Sequence, residues 1–426
     1  MFDRTHYPAI VIGGGQAGLS ASARLKTGAI DHLVLERDRV AEAWRSQRWD
    51  SFCLVTPNWQ CTLPGYHYDA AYGGDDPDGF MARDEIIAYI EGFRAHIHAP
   101  VVEGVEVANV TAAGDGFRVT TSAGELTADQ IIVATGGYHR PKIPAMARDL
   151  PDRVVQLHSS TYRNADQAPE GGVLVIGTGQ SGCQIAEDLH LAGRDVHLAV
   201  GGAPRAPRFY RGRDVTAWLV DMGHYDVTVD EHPDGVGVRR KANHYMTGRG
   251  GGRDIDLRHF ATEGMKLHGR LSRLEGETLH FRGDLAQNLD GADATAERIK
   301  ASIDTYILVN GIDAPKETRY RPAWRPADPF LEPPDDMTLP IAGISTVIWC
   351  TGFDLDYSWI DLPALDAKGY PHHKRGVSPV AGLYFLGLPW MHTWGSGRFS
   401  AIGDDAAHVV SRLTEAATGR APAPVV

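Results

Sequence analysis

Two glycine-rich segments carry the clearest chemical signal in this sequence. Residues 13–18 read GGGQAG and residues 177–182 read GTGQSG, so both follow the pattern G-x-G-x-x-G. The first glycine of such a segment allows a tight turn, the second lets a diphosphate approach the backbone, and the third lets the next helix pack closely. Amide groups at the start of that helix then point at the phosphates. We therefore predict two sites that each bind a dinucleotide.

The residues around each segment have the periodicity of a strand–turn–helix–strand unit. Residues 9–12 (AIVI) and 32–36 (HLVLE) are apolar strands around the first segment, with a small-residue helix from Leu19 between them. The second segment stands between the apolar runs 173–176 (VLVI) and 196–200 (VHLAV). Strands that alternate with helices indicate a parallel, doubly wound sheet. The predicted fold class is α/β, with two Rossmann-like dinucleotide-binding domains.

The two units differ at the position that contacts the adenosine ribose. Glu36 ends the second strand of the first unit, and a carboxylate there accepts hydrogen bonds from ribose hydroxyls. The equivalent residue of the second unit is Val200, and a group of arginines follows it. Arginines bind a 2′-phosphate, which a carboxylate would repel. We therefore predict FAD in the first unit and NADPH in the second, with Arg205 and Arg208 on the 2′-phosphate.

The rest of the chain completes these two units. Alternating apolar and polar residues in 103–134 predict antiparallel strands, and segments 382–387 and 400–413 predict a last strand and a last helix. The stretch 211–340 is rich in glycine, arginine and proline and is predicted to contain the rest of the second nucleotide-binding domain together with a long insertion. The predicted domains are an FAD domain in two parts (1–160 and 341–418), an NADPH domain inserted between them (161–340), and a flexible tail (419–426).

Further segments resemble the flavin-containing monooxygenase superfamily. Residues 44–51 (WRSQRWDS) are similar to the family segment that packs around the flavin, and residues 56–59 (TPNW) place an asparagine near an active-site amide. Residues 134–138 (ATGGY) resemble the linker between the domains. Residues 158–163 (HSSTYR) match the second half of the family signature. The order of these motifs is similar to that of a divergent bacterial branch of flavin-dependent oxidoreductases.

The resemblance implies a reaction and assigns residues to it. Such enzymes pass a hydride from NADPH to FAD, and the reduced flavin forms a hydroperoxide with O₂ that transfers one oxygen atom to a small substrate bearing nitrogen, sulfur or a carbonyl group. Asn58, His158 and Arg163 are the residues expected at the reacting centre. The expected cofactor contacts, from the pattern and the resemblance together, are Gly13, Gly15, Gln16, Ala17, Gly18, Glu36, Arg37, Trp44, Arg45, Trp49, Thr56, Asn58, Thr135, Gly136, Gly177, Gly179, Gln180, Ser181, Gly182, Arg205, Arg208, Thr351, Gly352, Trp394 and Ser396.

Composition argues against several other classes of protein. The formal net charge of −12 disfavours a nucleic-acid-binding protein, which would carry a basic face. No apolar run approaches the roughly 18 residues of a membrane-spanning helix, so a cytoplasmic protein is expected. None of the four cysteines forms a C-x-x-C pair, and the histidine pairs at 96/98 and 372/373 have no partner at ligand spacing, so no metal is predicted. A homodimer is the assembly expected from base rates.

Two alternatives stay open from the sequence. Asp152 and Val154 stand where the family signature has Phe and Gly, so oxygen transfer rests on fewer motifs than cofactor binding does. The first alternative is an NADPH-dependent flavoprotein reductase or oxidase that inserts no oxygen. The second is a flavin-binding redox sensor without turnover. A disulfide reductase is disfavoured because no paired cysteines follow the first unit.

Overall fold

The computed structural model describes residues 2–326 and 336–417 of the 426-residue chain. Its helices are α1 (Gln16–Thr27), α2 (Glu42–Ser46), α3 (Arg83–His96), α4 (Gln180–Leu191), α5 (Val215–Asp221), α6 (Leu257–Thr262), α7 (Leu285–Asn310) and α8 (Ile402–Ala417). Its strands are β1 (His6–Ile12), β2 (His32–Leu35), β3 (Thr62–Leu63), β4 (Tyr66–His67), β5 (Val101–Val102), β6 (Val107–Ala113), β7 (Gly116–Thr121), β8 (Gly124–Val133), β9 (Arg140–Pro141), β10 (Val155–His158), β11 (Gly172–Ile176), β12 (Val196–Ala199), β13 (Phe209–Tyr210), β14 (Arg213–Asp214), β15 (Lys266–His268), β16 (Leu271–Glu275), β17 (Thr278–Arg282), β18 (Asp336–Pro340), β19 (Ile344–Trp349), β20 (Phe353–Asp354) and β21 (Leu383–Phe385). The predicted flexible tail at 419–426 lies outside the described residues.

The first sheet forms around the first glycine segment. Its strand order is β5-β2-β1-β8-β7-β6, and β21 pairs with β8. β1 runs parallel to both β2 and β8, whereas β6, β7 and β8 form the antiparallel meander predicted from residues 103–134. Every residue of β2 is buried, as expected for a parallel strand covered on both faces. The predicted strand–helix–strand opening is confirmed.

The second sheet is entirely parallel, with the strand order β10-β19-β11-β12-β15. This pairing moves the expected domain boundaries. β10 precedes residue 161 and β19 follows residue 340. Both strands nevertheless belong to the second sheet, in which β19 lies between β10 and β11. The second domain therefore takes β10 and β19 from the two parts assigned to the first. A parallel sheet joins strands that are distant in sequence, so no local pattern marks such a boundary.

The stretch 211–340 contains part of the second sheet together with further elements. It contributes β15 to the second sheet, the long helix α7, and the strands β16 and β17, which pair with β18. Residues 327–335 within it lie outside the described residues.

Each sheet has its own apolar core. In the first domain, α1 packs against α8, and the buried residues of β1, β8 and β21 join one cluster with them. In the second domain, α4 and the apolar residues of α7 cover one face, and residues that include Phe281 and Trp349 cover the other. The α/β fold with two Rossmann-like units is confirmed, and each unit presents the end of its first strand to solvent-accessible space.

Candidate dinucleotide sites

The first glycine segment lies at the carboxyl end of β1 and leads into α1. Gly13 has a φ of +111°, and its N–H donates to the carbonyl oxygen of Leu35 at 2.8 Å. A Cβ on Gly18 would lie 1.8 Å from the carbonyl oxygen of Gly13, so only glycine fits this contact. A Cβ on Gly15 would meet nothing within 4 Å. Space for a ligand is therefore left above the second glycine of the pattern.

The second glycine segment repeats this geometry at the end of β11. Gly177 has a φ of +104°, and its N–H donates to the carbonyl oxygen of Ala199 at 3.1 Å. A Cβ on Gly182 would lie 1.9 Å from the carbonyl oxygen of Gly177, whereas one on Gly179 would meet nothing within 4 Å. The same three glycines have the same three roles in both segments.

Both following helices begin without a capping side chain. No side chain accepts a hydrogen bond at the N-terminus of α1 or α4, and neither first turn contains an acidic residue. Uncapped amides and the helix dipole favour a negative group at this end. With the open space over Gly15 and Gly179, these donors fit the diphosphate of a dinucleotide at each segment.

Glu36 follows β2 and is held in place by two backbone amides. Its Oε2 accepts from the N–H of Gly14 at 2.6 Å, and its Oε1 accepts from the N–H of Asp38 at 3.0 Å. A carboxylate oxygen can accept more than one hydrogen bond, so Glu36 retains capacity for ribose hydroxyls. The neighbouring Arg37 forms an exposed ion pair with Asp38. The geometry fits the unphosphorylated ribose predicted for the first site.

The residues between the second and third glycines of each pattern connect the segment to a later part of the chain. Gln16 Nε2 donates to the carbonyl oxygen of Gly397 at 3.2 Å. Ala17 lies close to Gly387, because a Cβ built on Gly387 would be 2.7 Å from the Cβ of Ala17. In the second segment, Gln180 Nε2 donates to the carbonyl oxygen of Met246, and Ser181 is half-buried. These predicted contact residues therefore lie at the two glycine cradles, which are residues 13–18 and 177–182, each with the start of the helix that follows. There they position the neighbouring loops.

At the ribose end of the second site stands an arginine that the sequence pattern does not mark. Thr178 Oγ1 donates to the carbonyl oxygen of Gly201 at 3.1 Å, which holds the end of β12 against the glycine segment. A Cβ on Gly202 would lie 2.7 Å from Nη2 of Arg270. Arg270 is half-exposed and lies 3.6 Å from the Asp284 carboxylate through Nε. Its guanidinium group therefore covers the backbone two residues beyond Val200, the equivalent of Glu36 in the first site.

The geometry does not support Arg205 and Arg208 as the 2′-phosphate ligands. Arg205 is 3% exposed, with Nε 2.7 Å from the carboxylate of Asp293. Arg208 is fully buried; it pairs with Asp214 at 2.5 Å and donates to the carbonyl oxygen of Val55 at 2.5 Å. Both charges are already neutralised in the interior, so each arginine stabilises the packing of the loop after β12.

Asn58 uses its amide to fold a neighbouring loop. Its Nδ2 donates to the carbonyl oxygen of Asp76 at 2.9 Å, and its Oδ1 accepts from the N–H of Met81 at 2.7 Å. The side chain is buried, with 3% exposure. Asn58 therefore holds segment 76–81 in place, and the geometry does not support its predicted place at the reacting centre.

His158 joins two strand ends of the second sheet. Its Nε2 lies 3.0 Å from the carbonyl oxygen of Gly352, and its Nδ1 accepts from the N–H of Ser160 at 3.2 Å. A carbonyl can only accept, so Nε2 carries the proton and the ring is neutral. Burial lowers the pKa of His158 below its ordinary value. The ring packs edge-on against Phe353. These contacts give His158 a positioning role between β10 and β19.

Arg163 also binds backbone groups only. Its Nη1 donates to the carbonyl oxygens of Ser160 at 3.0 Å and Tyr162 at 2.8 Å, and its Nη2 donates to that of Ser46. It therefore fastens the segment before the second glycine pattern to the end of α2. The predicted catalytic group of Asn58, His158 and Arg163 is not brought together by any contact among the described residues.

The segment after β2 contains tryptophans that pack against neighbouring aromatic rings. Trp44 stacks on Phe399 with ring centroids 5.9 Å apart, and Trp49 packs edge-on against Phe52 at 5.0 Å. Trp49 is buried, whereas Trp44 is half-buried. Arg45 forms an ion pair with Glu91 on α3. Thr56 is half-buried and precedes the short 3₁₀ turn at residues 58–60. Among these predicted contacts, the half-buried Trp44 is the aromatic residue best placed to face a bound ligand.

The loop before α8 is fixed by its own polar groups. Ser396 Oγ accepts from the N–H of His392 at 3.0 Å, and Trp394 stacks on Tyr225 with ring centroids 4.4 Å apart. The predicted linker contacts lie in two other loops. The carbonyl oxygen of Gly136 accepts from the hydroxyl of Tyr357. The hydroxyl of Thr135 forms a hydrogen bond with the ring of His139, and the hydroxyl of Thr351 donates to the carbonyl oxygen of Lys142. Gly352 accepts from His158, as described above.

Two arginines that the sequence analysis missed lie among these aromatic rings. Arg48 Cζ lies 5.2 Å from the ring centre of Trp44 and 5.7 Å from that of Tyr138. Arg398 Cζ lies 4.0 Å from the ring centre of Trp394. Burial lowers the pKa of both guanidinium groups, and the phenol of Tyr138 opposes this shift in each case. Spacing from the glycine patterns gives no signal for either arginine.

None of the four cysteines forms a disulfide. Cys53, Cys61, Cys183 and Cys350 are all free. Burial raises the pKa of the Cys53 thiol to about 11 and that of Cys61 to about 12, so neither is a reactive thiolate at neutral pH. Within residues 2–326 and 336–417, no cluster of three or more histidine, cysteine or carboxylate side chains could hold a metal ion. Over the same residues, no helix combines the length and apolar character needed to cross a bilayer.

Comparison with known proteins places this geometry in a family. Residues 10–221 match a family model described as pyridine nucleotide-disulphide oxidoreductase. A flavin-containing monooxygenase from Stenotrophomonas maltophilia has the same fold, with a TM-score of 0.67 and 19% identity over 96% of this chain and 99% of its own. A rice indole-3-pyruvate monooxygenase (Oryza sativa subsp. japonica) is 32% identical over 185 residues, which are 42% of this chain and 44% of the plant protein.

An uncharacterized CzcO-like oxidoreductase of Geobacillus kaustophilus matches over nearly the whole length. It is 32% identical over 408 residues, which cover 95% of this chain and 97% of that protein. These relatives confirm the predicted resemblance, and FAD and NADPH are the cofactor pair of the flavin monooxygenase type. The chain belongs to the CzcO-like oxidoreductases, and it has the fold of flavin-containing monooxygenases.

Proposed function

We propose that the protein is an FAD- and NADPH-dependent monooxygenase acting on a small substrate with a nitrogen, sulfur or carbonyl group. NADPH supplies two electrons, one atom of O₂ enters the substrate, and the other leaves as water. The observation that carries this proposal is the pair of open, uncapped glycine cradles at Gly15 and Gly179, which differ at the ribose end.

The residues of this chain bind and separate the two nucleotides. Amides at the start of α1 and α4 bind the two diphosphates, and Glu36 accepts from the ribose of FAD. FAD, when bound, accepts the hydride and reacts with O₂; this chemistry belongs to the cofactor. The protein contributes orientation and the exclusion of water, for which the rings of Trp44, Tyr138 and Trp394 are suited.

Arg270 is the residue we assign to the 2′-phosphate of NADPH. It is half-exposed, it lies beside the end of β12, and its one carboxylate neighbour is at 3.6 Å, beyond a close contact. A phosphate would therefore gain a charge-assisted partner without first breaking a tight buried pair. Arg205 and Arg208 lack this freedom because carboxylates already hold them.

Spectroscopy of the purified protein tests this proposal in two steps. We expect a yellow protein whose flavin absorbance bleaches when NADPH is added without oxygen. Oxygen is then admitted in the presence of a panel of amines, thioethers and ketones. Oxygenated product formed in proportion to NADPH supports the proposal. Full release of hydrogen peroxide with every compound would favour the reductase or oxidase alternative, and a flavin that NADPH does not bleach would favour a redox sensor.

A further inference from the structure

A cavity of about 510 Å³ lies between the loop after Tyr370 and the outer face of α8. Its lining includes His372, His373, Lys374, Arg375, His408 and Arg412. No acidic side chain lines it among the described residues. A volume of this size is typical of small-molecule sites. The cavity is thus basic, although the whole chain is acidic.

Arg375 stands at the tip of a strained turn. The backbone groups of Lys374 and Val377 bond each other twice, at 3.0 Å, so Arg375 and Gly376 form a two-residue loop. Their φ values are +46° and +87°, the pattern of a type I′ turn. Glycine or asparagine suits the first position, and a larger residue there stores about 1–3 kcal/mol of strain. The strain at Arg375 draws attention to what its side chain contacts.

Within the protein, the side chain of Arg375 interacts electrostatically with the buried Asp405 on α8. Among the described residues, Arg375 forms no ion pair, and its Nε has no hydrogen-bond partner. His373 Nδ1 accepts from the N–H of Gly376 at 3.3 Å, so Nε2 carries the proton of the neutral ring. That Nε2 is also buried without a partner. Both unpaired groups are donors, so each lacks an acceptor; the buried Oδ2 of Asp405 is an acceptor that also has no hydrogen-bond partner.

The charges around the cavity favour an anion. Burial and Arg239 lower the pKa of His373 to about 4, and burial with Arg375 and Arg412 lowers the pKa of His408 to about 4. Three acidic side chains interact with residues of the cavity: Asp366 with His372, Glu415 with Arg412, and the buried Asp405 with Arg375. None of the three lines the cavity.

We propose that this cavity binds a small organic anion carrying phosphate or carboxylate groups, with the guanidinium group of Arg375 donating to it. Both classes of anion present several acceptor oxygens to a guanidinium group. The site is separate from the two glycine cradles, so the proposal does not depend on the assignment of FAD or NADPH.

Calorimetric titration of the purified full-length protein with inorganic phosphate and with citrate, at constant ionic strength set by sodium chloride, tests the site. We expect at least one of the two anions to bind, and the stronger of them identifies the phosphate or the carboxylate class. We expect Arg375→Gly to weaken that binding at least tenfold and to leave the thermal unfolding temperature equal or higher, because glycine relieves the turn.

Arg118→Gln is the matched control, because Arg118 is an exposed arginine on β7 and its loss changes the net charge equally. It should bind the anion like the unmodified protein. Failure of both anions to bind overturns the proposal. So does Arg375→Gly with unchanged affinity, or an equal loss of affinity in Arg118→Gln, which would indicate only general charge attraction. Lys374→Gln, next to the strained position, gives a second reading if Arg375→Gly fails to fold; unchanged affinity there would also count against the site.

Discussion

The guanidinium group of Arg270 lies against the backbone of Gly202, so closely that a Cβ on the glycine would be 2.7 Å from Nη2. This contact joins Arg270, which lies between β15 and β16, to Gly202 in the loop after β12, near the strand end where a nucleotide-binding domain of this type contacts the adenosine ribose. It places an accessible positive charge two residues beyond Val200, the equivalent of Glu36.

Replacing Arg270 by alanine should reduce the preference for NADPH over NADH. A charge-assisted bond contributes roughly 1.5–3 kcal/mol, which corresponds to an increase of about ten- to a hundredfold in KM for NADPH. The KM for NADH should change less than about twofold. Steady-state kinetics with both nucleotides gives the two values.

Arg205→Ala is the informative comparison for that experiment. Asp293 would keep its ion pair with Arg258, so we expect a stability loss of about 1–3 kcal/mol and no selective change in KM. A selective rise in KM for NADPH in Arg205→Ala, with none in Arg270→Ala, would reverse the assignment.

The glycine segments offer a prediction that separates ligand binding from folding. Gly179→Ala places a methyl group in open space, so the protein should fold with an unchanged unfolding temperature. The same methyl group would occupy the path of the diphosphate, so NADPH should no longer bleach the flavin. Stopped-flow absorbance without oxygen measures the loss.

Gly182→Ala is the structural counterpart of Gly179→Ala. Its Cβ would lie 1.9 Å from the carbonyl oxygen of Gly177, so this variant should unfold at a lower temperature or fail to accumulate. If Gly179→Ala reduces its flavin at the normal rate, the second cradle does not hold the nicotinamide nucleotide.

Much of this could be predicted from the sequence because the relevant geometry is local. The turn at Gly13, the close contact at Gly18 and the carboxylate of Glu36 lie within one strand–helix–strand unit, so their spacing along the chain fixes their spacing in the molecule. The same holds for Gly177 and Gly182.

The predictions that the geometry does not support depended on contacts between distant segments. Arg205 and Arg208 follow β12, but Asp293 on α7 and Asp214 before α5 approach and neutralise them. Arg270 reaches the same region from β15, which no spacing rule indicates. The pairing of β19 between β10 and β11 was hidden for the same reason.

His158 should prove to be a positioning residue. Gln at this position can still donate to the carbonyl oxygen of Gly352, so His158→Gln should retain activity within about threefold. Its pH–rate profile should match that of the unmodified enzyme, because burial lowers the pKa of His158 and the ring stays neutral. Loss of about a hundredfold or more, together with a missing limb of the profile, would indicate general acid–base catalysis instead.

A stacked pair of histidines predicts acid sensitivity in the second domain. His197 Nδ1 and His268 Nε2 are 3.0 Å apart, and burial lowers the pKa of His197 and lowers that of His268 to about 4. In the unfolded chain both histidines have the ordinary pKa near 6.5. Between pH of about 4 and 6.5 the unfolded chain therefore binds more protons than the folded protein. The stabilisation is therefore fully present above pH of about 6.5 and is lost as the pH falls toward 4.

Urea unfolding at pH 7 and pH 5 measures this effect. His268→Phe retains the ring that stacks on Phe281 but does not titrate, so it should lose less stability between the two pH values than the unmodified protein. His67→Gln removes an exposed histidine and should leave the difference unchanged. Equal losses in His268→Phe and the unmodified protein would contradict the role of the pair.

Isotope labelling with ¹⁸O₂ tests the central claim most directly. The purified enzyme is supplied with NADPH, ¹⁸O₂ and the panel compound that most increases NADPH consumption, and the product is analysed by mass spectrometry. The account predicts one ¹⁸O atom in the product for each NADPH consumed, with little hydrogen peroxide. A product without ¹⁸O, or NADPH oxidation that yields only labelled hydrogen peroxide, would contradict it.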